Sequence, residues 1–77
     1  MDAGQPIEVR PFGHDDWVVR EQNGREFGHY PSAKAAEAVA YKLARKKRVE
    51  LLIYAGNGKV KSRSRPRKGW LRRLFAS

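Results

Sequence analysis

The sequence predicts an α+β fold: a small two-layer sandwich with one helix packed on a mostly antiparallel sheet, in the order β-β-β-α-β-β. Three observations carry this. Asn23-Gly24 and Asn57-Gly58 each lie between runs rich in β-formers. The stretch from Ala33 to Lys47 is dense in helix formers, with apolar residues recurring every three or four positions. The length of 77 residues suits one domain, with room for one sheet and one helix.

The elements follow in order. Ile7-Glu8-Val9-Arg10 alternates apolar and polar, as a half-buried strand does. Pro11 donates no backbone hydrogen bond, which places it at a strand end or on an edge strand. Gly13-His14-Asp15-Asp16 reads as a turn and Trp17-Val18-Val19-Arg20-Glu21 as a second strand. Asn23-Gly24 suits a two-residue type I′ turn, because both central residues need positive φ. A third strand through Glu26–Tyr30 then sets Trp17 opposite Tyr30 and Val19 opposite Gly28.

Ser32 is a good N-cap for the helix. Ala36, Val39, Ala40 and Leu43 form its apolar stripe. Lys42, Arg45, Lys46, Lys47 and Arg48 crowd its end, where cations suit the helix dipole. Val49 through Ala55 is a continuous β-forming run, Asn57-Gly58 repeats the I′ signal, and residues 59–64 return. Residues 1–64 therefore form the domain. Residues 65–77 are a basic amphipathic C-terminal tail, expected to be mobile because of Pro66, Gly69 and a charge run with no acid nearby.

The net charge is +9 and it is unevenly placed. Residues 1–50 carry nine Lys/Arg against eight Asp/Glu, whereas residues 51–77 carry eight Lys/Arg and no acid. Such asymmetry points to an anionic partner: nucleic acid, an anionic membrane surface or an acidic protein. No cysteine is present, which removes disulfides, thiol catalysis and thiolate metal sites. The first residues have neither a basic n-region nor an apolar h-region, and the longest apolar run is Leu51–Ala55, so a cytoplasmic protein is expected.

Several of these features together resemble a small bacterial family, the domain of unknown function numbered twenty-one eighty-eight. They are Trp17-Val18-Val19, Phe27, the helix with Ala36, Ala40, Leu43 and Ala44, Glu50-Leu51-Leu52-Ile53-Tyr54, and Asn57-Gly58-Lys59-Val60. The resemblance covers about residues 7–64 and implies the same fold. The family usually has Asp-Gly at the second turn, and either pair suits that turn. Its pattern stops near Arg63, so the tail lies outside it. The resemblance implies no activity and no site residues.

Two constellations are candidate sites. A two-residue turn at Asn57-Gly58 pairs Tyr54 with Lys61, Leu52 with Arg63 and Glu50 with Arg65. One hairpin face then shows Lys59, Lys61, Arg63 and Arg65 in a row about 6.6 Å apart, with Tyr54 among them. Such a row can track a phosphate backbone and offer one stacking platform. It equally suits an edge strand protected from aggregation, its long stems covering Leu52 and Tyr54. The second candidate is the tail. Trp70, Leu71, Leu74 and Phe75 recur at spacings of three and four, with Arg72 and Arg73 on another face. A short basic amphipathic helix can dock on an anionic membrane or in a protein groove. A frayed terminus and a tail folded back over Trp70 are the plain alternatives.

His14 lies beside Asp15 and Asp16, but without a second nearby His or any Cys it reads as a solvated turn. No phosphate loop, nucleophile elbow or catalytic triad pattern occurs, so no catalysis, cofactor, metal or small-molecule substrate is expected. The two functional readings are a low-specificity nucleic-acid-binding module using the basic strand face, and an interaction adaptor using the tail.

Overall fold

A computed structural model describes residues 4–66 of the chain. Its elements are β1 (Ile7–Pro11), β2 (Trp17–Glu21), β3 (Glu26–Tyr30), α1 (Ala33–Lys47), β4 (Leu51–Tyr54) and β5 (Val60–Ser64). The strands form one sheet in the order β3-β2-β1-β4-β5. All neighbours are antiparallel except β1 and β4, which run parallel.

Pro11 lies at a strand end, as one of the two expected placements has it: it is the last residue of β1, which is a central strand and not an edge. Pro11 is tolerated because the β1–β4 ladder has already ended at Val9↔Ile53 when the chain reaches it. The next residue, Phe12, donates its N–H to the Asp16 carbonyl at 2.8 Å and closes the first loop.

Ser32 caps α1 as expected, its hydroxyl accepting from the Ala35 N–H at 3.1 Å. The buried helix face, however, is turned toward Tyr41 and Ala44. Ala36, Ala40 and Ala44 are fully buried, while Val39 and Leu43 are only half-buried. The reason is steric: the three alanines let the helix backbone lie close on the sheet, and larger side chains flank that contact. Together with Ile7, Val9, Val19, Tyr41, Val49, Leu51 and Ile53 they form the core, with Trp17, Phe27, Tyr30 and Leu43 at its margin.

The two Asn-Gly hairpins share a device that a two-residue turn does not describe. Glu21 N–H donates to Arg25 O and Gly24 N–H to Glu21 O; Ala55 N–H donates to Lys59 O and Gly58 N–H to Ala55 O. Each loop therefore has three residues, Gln22-Asn23-Gly24 and Gly56-Asn57-Gly58. The second has Gly58 at φ 86°, a left-handed position suited to glycine. Each loop shifts the register by one residue, and each shift is cancelled by a bulge three residues past the glycine. Arg20 pairs with Glu26 but Val19 with Gly28, leaving Phe27 extra; Tyr54 pairs with Val60 but Ile53 with Ser62, leaving Lys61 extra. Trp17 thus still meets Tyr30, and Leu52 still meets Arg63. The expected pairing of Tyr54 with Lys61 does not form; Tyr54 pairs with Val60 instead. Val60 shares the face of Tyr54 and is 50% exposed.

Candidate functional site

The bulge at Lys61 decides the fate of the expected basic row. An extra residue in one strand re-aims its own side chain. Lys61 turns to the helix side, where its Nζ lies 3.6 Å from Glu37 Oε2 of α1. Arg65 lies beyond β5, and its guanidinium donates to the Arg48 carbonyl at 3.4 Å. Lys59 belongs to the turn, its N–H held by Asn57 Oδ1 at 3.0 Å. Arg63 alone stays beside Leu52 on the face opposite the helix. The four cations do not stand in one row. Tyr54 is not a free platform either: Arg10 lies over its ring at 4.4 Å, and its hydroxyl donates to Glu8 Oε2 at 3.4 Å.

The face opposite the helix is built in two rows across the strands. One runs Glu26, Arg20, Glu8, Leu52, Arg63 and the other His29, Val18, Arg10, Tyr54, Val60. No helix among the described residues covers it, yet Glu8, Val18 and Leu52 are each only 2% exposed. Side chains lying flat across the strands achieve this. Arg10 and Arg20 reach Glu8 Oε1 at 3.6 and 3.5 Å. At the β3 side, His29 is held between Asp16 (Nδ1 to Oδ2, 2.8 Å) and Glu26 (Nε2 to Oε1, 3.1 Å). The bond to Asp16, then that to Glu26, hold its pKa above the ordinary histidine value. The two carboxylates take opposite ring nitrogens, so they do not converge on one metal position, and no metal-binding group of three occurs among the described residues. His14 is almost fully exposed, in agreement with a solvated turn.

Among the described residues, the densest unbalanced charge lies elsewhere, at the C-terminal end of α1. Lys42, Arg45, Lys46, Lys47 and Arg48 are all exposed, and none forms an ion pair among the described residues. The helix ends in a Schellman motif: Val49 N–H reaches Ala44 O at 3.0 Å and Arg48 N–H reaches Arg45 O at 3.3 Å. That motif needs a left-handed residue at the position filled by Arg48, whose φ is 59°. Glycine is the usual occupant. The fold adds two further cations to this end. Arg65 joins through the Arg48 carbonyl. Arg25 of the first hairpin lies over the ring of Phe27 at 5.5 Å, while Lys47 lies over the same ring at 5.6 Å. The sequence shows the run Arg45–Arg48 but not its union with Arg25 and Arg65, which are distant in the chain.

The tail candidates Trp70, Leu71, Arg72, Arg73, Leu74 and Phe75, and the expected mobility of the tail, lie outside the described residues. No helix among the described residues is long and apolar enough to cross a membrane. The sequence profile of a family described as "Uncharacterized protein conserved in bacteria (DUF2188)" matches residues 7–65. No curated protein and no solved structure matches the chain.

Proposed function

Because the chain belongs to this uncharacterised bacterial family, which supplies no activity, its own surface has to carry the reading, and we propose a non-enzymatic module that binds nucleic acid with low sequence specificity. The observation that supports it is the run Lys42, Arg45, Lys46, Lys47 and Arg48, exposed and free of ion pairs among the described residues, with Arg25 and Arg65 beside it. Cations without local carboxylates keep their counter-charge for a partner. A phosphate backbone offers a series of negative charges at spacings that flexible Lys and Arg side chains can follow, without reading bases. Arg48 strengthens the reading. A charged residue occupies a left-handed backbone position that glycine fills at lower cost, so the charge stands there at some cost in local strain.

The strand-face site of the sequence reading contributes Arg63 and Lys59 at most, since Lys61 and Arg65 have partners within the domain. The test is binding of nuclease-treated full-length protein to a labelled duplex and a labelled single strand, by fluorescence anisotropy at about 50 mM salt, where non-specific contacts are strong. Arg45→Gln/Lys46→Gln/Arg48→Gln should lose most of the binding and Lys61→Gln little. Binding by neither form of nucleic acid sinks the proposal. Unchanged binding by the triple variant moves the contact to the tail, where removal of residues 67–77 would abolish it.

A further inference from the structure

We propose that the sheet face opposite the helix is a homodimer interface, in which a second copy of this chain stacks face to face about a two-fold axis running along β1. This goes beyond the nucleic-acid reading and does not depend on it.

Three features of the face support a self-complementary contact. The first is its apolar content. The exposed large hydrophobic residues among those described are Phe12 and Val60, 56% and 50% exposed. Both belong to this face: Phe12 meets the His29 ring edge-on at 5.1 Å, and Val60 sits opposite Tyr54. The second is the charge pattern. The β3 side carries Asp16 and Glu26, and the β5 side carries Arg63. The third is the position of β1, the middle strand of five.

These features select the axis. Rotation by a half-turn about a line along β1, between the two faces, keeps each row level and exchanges left for right. Glu26 then lies over Arg63 of the other copy, and the Phe12–His29 pair lies over its Val60. The same contacts recur on the other side, as a two-fold interface requires. Arg10 meets its own symmetry mate near the axis, but its charge is already opposed by Glu8 and its plane rests on Tyr54. Arginine, tyrosine and phenylalanine are the residue types that interface centres favour. An axis across the strands would instead set β3 over β3, acid against acid.

The size of the face sets the strength. Five strands of about five residues span roughly 24 by 17 Å, or about 400 Å² per copy. A standard stable interface buries about 800 Å² per partner, so this dimer is weak and concentration-dependent.

Sedimentation equilibrium of the nuclease-treated full chain tests it, from about 10 μM to about 1 mM, a range that brackets weak association. The mass should rise from 8.8 kDa toward twice that value. Arg63→Glu alone and Glu26→Lys alone should each raise the dissociation constant by ten-fold or more, with far-UV circular dichroism unchanged. An equimolar mixture of the two variants should restore association, because each copy then offers the other an opposite charge at both positions. A monomer throughout the range overturns the proposal. So does a dimer indifferent to both variants, or a mixture that fails to associate, since either places the contact on another surface.

Discussion

At the scale of single residues, Arg48 and His29 make opposed predictions about stability. A side chain in the left-handed region costs about 1–2 kcal/mol, while glycine costs about 0.5–1 kcal/mol in extra unfolded-state freedom. The first exceeds the second, so Arg48→Gly should stabilise the domain by about 0.5–1 kcal/mol in urea melts. The same change should weaken nucleic-acid binding. A loss of stability would mean that the Arg48 side chain makes contacts that outweigh the backbone relief.

His29 sets a pH window. Its pKa is raised in the folded state by Asp16 first and Glu26 second. A histidine with a raised folded pKa contributes its full stability below the unfolded value of about 6.5 and loses it as pH climbs through the folded value. Melting temperature should therefore fall as pH rises from about 6 through the raised pKa, and His29→Gln should flatten that part of the profile. A wild-type profile parallel to that of His29→Gln would mean the histidine is not charged in its carboxylate clamp. The sequence does not pair His29 with Asp16, because they meet only across the β2–β3 register.

At the scale of elements, the helix contact is governed by small residues. Ile53 is 2% exposed at the centre of the core, whereas Leu43 lies at its margin. Ile53→Ala should cost about 2–4 kcal/mol and Leu43→Ala about half as much. Ala40→Leu should also destabilise, by about 1–3 kcal/mol, because no space exists where the helix touches the sheet. Urea melts of the three variants give the ranking directly; equal losses for Ile53 and Leu43 would place the helix stripe where spacing alone puts it. Spacing marked the helix and Ser32 marked its start, since both signals are local. The choice between a stripe on Val39 and Leu43 and one on Ala44 and Tyr41 depends on how near the sheet lies, and that is not local. The hairpins divide in the same way. Asn-Gly located both turns, and the distant pairs Trp17–Tyr30 and Leu52–Arg63 formed as expected. The bulges at Phe27 and Lys61 were not legible, because a three-residue loop with a bulge and a two-residue loop without one converge on the same far register.

At the scale of the whole molecule, that single bulge separates the two accounts of binding. It turns Lys61 toward Glu37 and breaks the row that alternation along a flat strand implies. The charge bias toward the C-terminal third was visible in composition. Its cancellation at Lys61, and its gathering with Arg25 and Arg65 around the end of α1, depend on contacts 17 or more residues apart. The most direct test of this account is the salt dependence of affinity for a labelled duplex, measured for wild type, for Arg45→Gln/Lys46→Gln/Arg48→Gln and for Lys61→Gln/Arg63→Gln. Four or five neutralised phosphates give a log–log slope of about −4. Removing three contacting cations should make it shallower by about 2–3 units, and the strand pair should change it by about 1 unit or less. The opposite order, with the strand pair flattening the slope and the helix-end triple leaving it intact, would contradict the account.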